Sequence, residues 1–268
     1  MTGLDTQILT TLLKERSGLS LTGDKQYLFE SRLGPVARSH GFKSLSELTD
    51  ALRRSPPPGL VRAVVEAMAT HESLFFRDVK PFEELRSFII PKLVQARAGT
   101  KTLRFWSAAC STGQEPYSLA MLLQDEPSLA GWRLQITATD LSTQAIERAA
   151  AGRFTHFEVQ RGLPAKYLVK HFKRNGDDWE IAPALRQAIT WKVFNLLDDP
   201  APLGSFDVIL CRNVLIYFDQ ETKRLVLERL ARTLAKDGFL MLGSAETTIG
   251  ITDRLRPVPE HHGLYVPT

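Results

Sequence analysis

Up to about residue 98 the apolar positions recur only at helical spacing; beyond Thr102, short apolar runs alternate with helix-periodic stretches. In the first part, Leu4, Ile8, Leu12 and Leu13 share one face of a helix that Gly18 can stop. A second helix is expected from about Asp24 to His40, with Tyr27, Leu28, Leu33 and Val36 apolar and Gly41 at its end. Ser44 to Arg54 reads as a third, capped by Ser44 with Glu47 three residues on, a capping-box pattern. The run Ser55-Pro56-Pro57-Pro58-Gly59 breaks it, and Leu60 to Ala69 makes a fourth. After Thr70 to Arg77 (THESLFFR) a linker helix is expected from about Pro81 to Ala98. Phe75 and Phe76 read either as a hydrophobic plug beside a solvated Arg77 or as part of a site.

The second part predicts strand, helix, strand in alternation, the order of a doubly wound α/β sheet. Leu103–Ser107 is the first strand and Pro116–Gln124 an amphipathic helix after it. Leu134–Thr139 is a strand ending in Asp140, and Ser142 caps a helix running through Ala151. Phe206–Cys211, Gly238–Gly243 and Gly263–Val266 are later strands, with a helix over Gln220–Leu234. Between Gly152 and Asn195 the alternation breaks. Pro164–Phe172 reads as a short helix, and Trp179–Ile181 and Ile189–Val193 as strands of a small antiparallel insertion around the turn at Asn175-Gly176.

Composition narrows the class. The chain has 268 residues, 43% of them hydrophobic, enough for one large domain or a large and a small one. No run approaches the roughly 20 apolar residues of a membrane span, and the first residues are amphipathic with mixed charge, unlike a signal peptide. Cys110 and Cys211 lack metal-ligand spacing and both fall near the ends of buried strands, so reduced thiols in a cytoplasmic protein are expected. The net charge of +4 does not call for nucleic acid. The basic residues of the first part (among them Lys14, Arg32, Lys43 and Arg53) form either a solvated face or a docking face for an acidic helical surface.

The candidate chemistry lies in Phe105 to Met121, FWSAACSTGQEPYSLAM. A strand, a turn of small residues and a helix N-terminus let a ligand come close to backbone. Neither a Walker-type phosphate loop nor G-x-G-x-x-G is present, and Glu115 sits where a pyrophosphate would need positive charge. A neutral or cationic ligand fits better, such as S-adenosylmethionine with its sulfonium and ammonium groups; the plain alternative is a tight turn without ligand. Asp140 stands where an acid can accept from ribose hydroxyls or simply cap the next helix. Asn195 and Cys211-Arg212-Asn213 fall at strand ends on the same edge.

Taken in order, THESLFFR, WSAACSTGQEPYSLAM, ATDLS, FNLLD and FDVILCRNVLIYF resemble the chemotaxis receptor methyltransferases, the CheR family, over nearly the whole chain. The resemblance implies a Rossmann-like methyltransferase sheet with a small all-helical N-terminal domain and a small antiparallel β insertion. The corresponding boundaries are 1–76, a linker helix 77–98 and a methyltransferase domain 99–268, with the insertion at about 153–194. It implies S-adenosylmethionine as cofactor, S-adenosylhomocysteine as product and no metal. Cofactor contacts would fall on His71, Ser73 and Arg77, where the family usually has asparagine and threonine at the first two positions. They continue with Glu115 on the methionine ammonium or a nearby polar atom, Asp140 on the ribose, Asn195 and Leu196 beside the adenine, and Cys211 and Arg212 on the next loop. Tyr217 resembles the tyrosine near the transferable methyl, against a plain reading as a core aromatic. Arg77 and Tyr217 are thus the candidate catalytic residues.

The implied reaction is transfer of the methyl group to glutamate side chains of methyl-accepting chemotaxis receptor helices, giving γ-methyl esters for sensory adaptation. The insertion hairpin around Asn175–Asp178 reads as too short to bind a C-terminal receptor peptide, so direct docking by the basic helical domain is expected instead. A cytoplasmic monomer is expected, with neither nucleic-acid binding nor membrane insertion. The alternatives are a non-catalytic S-adenosylmethionine-binding regulator of a chemosensory complex, a nicotinamide-dependent oxidoreductase, and a sister methyltransferase serving surface motility.

Overall fold

The structure is a computed structural model describing residues 2–21 and 27–268. It divides into two compact units, Met1–Thr70 with Tyr217–Lys223, and His71–Ile216 with Arg224–Thr268.

The first unit is helical: α1 (Gly3–Ser17), α2 (Tyr27–Ser39), α3 (Leu45–Arg54) and α4 (Leu60–Met68). The expected α2 start at Asp24–Gln26 lies outside the described residues. Thr2 and Asp5 form a capping box at α1, and Gly18 ends it in the left-handed region. The buried stripe of α1 is Asp5, Leu9, Leu13 and Ser17, whereas Leu4 is 56% exposed. Of the expected face of Leu4, Ile8, Leu12 and Leu13, only Leu13 lies in the buried stripe; the first three positions are displaced by one. Apolar spacing alone could not show this, because a carboxylate holds part of the stripe: Asp5 accepts from the Thr2 amide (2.7 Å) and the Thr49 hydroxyl (2.6 Å). At α3, Ser44 caps the Glu47 amide, but Glu47 reaches back to the Lys43 amide, one residue before the expected partner. Tyr217–Lys223 joins this unit through a bridge between Leu19 and Phe218 and a 2.7 Å Lys14–Asp219 ion pair.

The second unit begins with a long helix of three pieces, α5 (Lys80–Glu84), a π-helical turn (Leu85–Ile89) and α6 (Ile90–Ala96). There follow β1 (Thr102–Ala108), α7 (Gln114–Gln124), β2 (Arg133–Asp140), α8 (Thr143–Ala151), β3 (Arg153–Thr155), α9 (His156–Gln160) and α10 (Ala165–His171). Next come β4 (Phe172–Asn175), β5 (Asp178–Ile181), α11 (Pro183–Gln187), β6 (Ile189–Val193) and β7 (Phe206–Cys211). The chain closes with α12 (Gln220–Thr233), β8 (Leu234–Leu242), β9 (Leu255–Pro257) and β10 (Leu264–Pro267).

The main sheet has the order β6-β2-β1-β7-β8-β10-β9, parallel from β6 to β8 and antiparallel over the last two strands. β1 continues to β2 on one side and is flanked by β7 on the other, so the order reverses between β1 and β7. Open α/β sheets bind ligands beyond the carboxyl ends of their strands at such a point. Helix α7 follows β1 there and, contrary to the amphipathic expectation, is buried nearly all round: Tyr117 meets Trp191 of β6 and Phe154 of β3.

The insertion is a three-stranded antiparallel sheet, β3-β5-β4. Ile189–Val193, expected within it, instead pairs in parallel with β2. The connection from β6 to β7 holds only a 3-10 turn, Ala201–Leu203. One face of β6, β2 and β1 is accordingly left as a groove of about 380 Å³ lined by Arg104, Gln135, Thr137, Thr190 and Lys192.

Candidate active site

The segment from His71 to Val79 crosses to the sheet edge as an anchored loop. Phe75 is fully buried, its ring edge-on to Phe154 at 4.9 Å and Phe172 at 5.7 Å, both in the insertion. Phe76 stacks on Tyr167 and leans on Phe82. Each such buried ring contributes on the order of 2–3 kcal/mol. The two phenylalanines are thus the plug that one reading expected. The insertion receives the loop closely: a Cβ on Gly162 would lie 2.1 Å from the Phe75 carbonyl oxygen, a position only glycine tolerates. The fully buried Ser118 hydroxyl of α7 accepts from the Phe76 amide at 2.9 Å and donates to the Gln114 carbonyl.

This loop presents Arg77. The residue is half-buried, and its guanidinium donates to the Glu72 carbonyl at 3.2 Å in an exposed hydrogen bond. His71 and Ser73 are half-buried earlier in the same loop. Among the described residues, neither hydrogen-bonds to a strand-end carboxylate.

Arg212, just past β7, ties the loop to the sheet. Its side chain is 1% exposed and donates to Glu115 Oε2 (3.0 Å), Asp78 Oδ2 (2.8 Å) and the Arg77 carbonyl (2.9 Å). Glu115 Oε1 accepts from the Ser107 hydroxyl of β1 at 2.7 Å. Glu115 is therefore held by a partner on each oxygen and retains lone pairs toward the edge, since a carboxylate offers about four acceptor positions. Asp78 and Ser118, both absent from the sequence-based candidates, are part of this constellation; no local pattern marks them, because their partners lie 134 and 42 residues away.

At the end of β2, Asp140 is 7% exposed and accepts from the Ser111 amide (2.8 Å) and the Ser142 amide (3.0 Å). It holds the small-residue turn against the next helix, and the Ser111 hydroxyl beside it is buried with no partner among the described residues. The charges of Asp140 and Glu115 both bear on Cys110, whose thiol burial first and these acids second push well up. Phe194 donates to the Asp140 carbonyl, which brings Asn195 and the buried Leu196 to the same edge. Asn195 Oδ1 accepts from the Leu197 amide. Cys211 is fully buried and free, its thiol raised by burial. Tyr217 packs within the helical unit, half-buried, its carbonyl accepting from the Ser20 amide.

Backbone strain gathers at this edge. Eight described non-glycine residues have positive φ, and six of them belong here: Phe76, Asp78 and Val79 on the loop, Ala109 and Ser111 in the turn, Asn213 after β7. Such conformations cost on the order of 1–3 kcal/mol each and persist where surrounding contacts enforce them, most often at functional sites. No group of three or more metal-ligating side chains occurs among the described residues. The edge offers one buried and one half-buried acid, a hydroxyl without a partner among the described residues, and closely approachable backbone. It suits a ligand with hydroxyl groups and positive charge.

Comparison with known proteins agrees. Residues 71–264 match the family described as "CheR methyltransferase, SAM binding domain", and residues 5–69 match "CheR methyltransferase, all-alpha domain". The chain is 40% identical over 260 residues to "Chemotaxis protein methyltransferase Cher2" of Pseudomonas putida, covering 95% of this chain and 94% of that one. It is also 40% identical to "Chemotaxis protein methyltransferase 1" of Pseudomonas aeruginosa, over 95% and 94% of the two chains. To the "Chemotaxis protein methyltransferase" of Escherichia coli it is 33% identical, over 89% and 82%.

Proposed function

The chain belongs to the CheR methyltransferase family, with S-adenosylmethionine as its cofactor, and we propose that it methylates glutamate carboxylates of methyl-accepting chemotaxis receptors, releasing S-adenosylhomocysteine. The observation that carries this reading is a pair of acids, the half-buried Glu115 and the buried Asp140, on either side of a small-residue turn at the point where strand order reverses.

The residues fit the cofactor. Asp140 and the unpartnered Ser111 hydroxyl suit a ribose, Glu115 suits an ammonium group, and Asn195 and Leu196 suit the face and edge of a base. We assign Cys211 and Arg212 to cofactor contacts from the loop after β7; Arg212 also holds Glu115 and the Arg77 loop. We assign His71, Ser73 and Arg77 to the remaining polar contacts from the loop.

S-adenosylmethionine, when bound, supplies an electrophilic methyl group. A glutamate side chain, whose ordinary pKa is about 4.3, is already ionised near neutral pH, so the site needs no general base. Its task is to strip water from the carboxylate and hold it in line. Arg77, anchored by Phe75 and Phe76 and by the bond from Arg212 to its carbonyl, orients that carboxylate or the amino-acid head of the cofactor. Tyr217 bounds the methyl end.

Receptor helices would dock on the helical unit through its basic residues. The insertion hairpin, two four-residue strands, would leave a receptor peptide tether unused. No described helix is long and apolar enough to cross a membrane, and we place the protein in the cytoplasm as a monomer.

The test is incubation with methyl-labelled S-adenosylmethionine and a receptor cytoplasmic fragment. Label that enters the receptor and is released as methanol by mild base supports a carboxyl ester. Label that resists base, or none, overturns the acceptor.

A further inference from the structure

Four residues, Asn213 to Ile216, separate Arg212 from Tyr217, and the backbone amides of all four point at one carboxylate. That carboxylate is Glu246, just past β8 and 5% exposed. Its Oε2 accepts from Asn213 (2.8 Å) and from Gly243 (2.7 Å). Its Oε1 accepts from Val214 (2.9 Å), Leu215 (2.7 Å) and, at longer range, Ile216 (3.4 Å). The loop enters this arrangement through Asn213 in the left-handed region, which turns successive amides to one side. The 3-10 turn Leu215–Tyr217 follows directly.

The residue just after β8 leaves room for the acid. A Cβ on Gly243 would lie 2.7 Å from Glu246 Oε2 and 2.9 Å from the Asn213 side-chain nitrogen, so any larger residue would displace one or the other. Amides converging on one point attract negative charge as a helix N-terminus does, and a carboxylate receiving several of them is held more rigidly than one capping a single amide. A glutamine there would offer one acceptor oxygen and turn an NH2 group toward amides that also donate.

We infer that Glu246 is a positioning residue for methyl transfer: it fixes the loop that leads from Arg212 to Tyr217 and so holds the backbone that presents Tyr217. The inference rests on the proposed role of Tyr217 and the glutamate acceptor. Glu246 itself touches neither acceptor nor cofactor in this scheme; it acts through backbone it holds.

The experiment compares full-length wild type, Glu246→Gln and Glu246→Asp. It measures steady-state methyl transfer to the receptor fragment, calorimetric titration with S-adenosylhomocysteine, and hydrogen exchange of amides 213–216. In Glu246→Gln those amides should exchange faster and kcat should fall about 100-fold, the usual effect of an ångström-scale misplacement. The KM for receptor and the S-adenosylhomocysteine affinity should stay within about threefold. Glu246→Asp, which keeps the charge one methylene short, should fall between, and it carries the same criterion if Glu246→Gln does not fold. Unchanged kcat with released amides overturns the inference, as does a loss of kcat, KM and product affinity together in step with lost stability. Wild-type protein that labels no receptor overturns the acceptor reading and the inference with it.

Discussion

Arg212 donates to Glu115 across 3.0 Å with the arginine side chain 1% exposed, and this pair joins the end of β7 to the first turn of α7 beside β1. The same guanidinium holds Asp78 and the Arg77 carbonyl, so one buried cation sets both the floor of the site and the loop above it. Removing one partner of such a pair leaves charge buried without compensation. Arg212→Ala should destabilise the protein by about 3–5 kcal/mol in urea unfolding. Arg212→Ala with Glu115→Gln should recover part of that, because the unpaired acid is gone. Equal stability of the single and double variants would mean that Glu115 draws no support from Arg212.

Asp140 is the acid on which cofactor affinity should depend most. Each hydrogen bond to a charged acceptor is worth roughly 1.5–3 kcal/mol. Asp140→Ala should therefore weaken S-adenosylhomocysteine binding by at least ~10-fold in calorimetric titration, and by more if both ribose hydroxyls are lost. It also frees the Ser111 and Ser142 amides, so a thermal melt must show that the variant is folded. Unchanged affinity in a folded variant would remove Asp140 from the binding set.

Much of this was legible in the sequence. Phe206–Cys211 reads as a strand with the observed bounds, because all six residues are buried and the run is wholly apolar except Asp207. β6 was misplaced for a physical reason: it edges the main sheet beside an open face, so Thr190 and Lys192 are exposed while Ile189 is buried. That alternation is the signature of a half-solvated antiparallel strand, and only pairing with β2 distinguishes the two. The α1 face holds at Leu13 but lies one position on from Leu4, Ile8 and Leu12, because Asp5 occupies the buried stripe, where polarity argues for the surface. Asp78, Ser118 and Glu246 could not be read at all, since each is defined by a partner brought near only by the fold.

Arg77 should separate chemistry from folding. The residue is half-buried and its side chain donates to the Glu72 carbonyl of its own loop, while the loop is anchored by Phe75, Phe76 and Arg212. Arg77→Ala should change unfolding free energy by less than about 0.5 kcal/mol and lower methyl transfer by about 100-fold, as expected for losing a charged group that orients the reacting carboxylate. Full activity in the folded variant would dismiss the role.

The helical unit should carry a distinct acid sensitivity. The Thr2 amide and then the Thr49 hydroxyl hold the Asp5 carboxyl at about 2, below its usual 3.8. Asp219 is likewise lowered to about 2, first by Lys14 and then by the Thr222 amide. Because both values fall on folding, the unfolded chain binds more protons between about pH 4 and pH 2, and stability rises with pH across that window. The contribution is complete above about pH 4 and disappears as the pH drops through about 2. Asp5→Asn removes one of the two groups, so its stability should fall below wild type by roughly 2 kcal/mol at neutral pH and approach wild type near pH 2. Urea unfolding curves collected from about pH 2 to about pH 7 test this. A constant gap between the two proteins across the range would show that Asp5 contributes through shape and not through its charge.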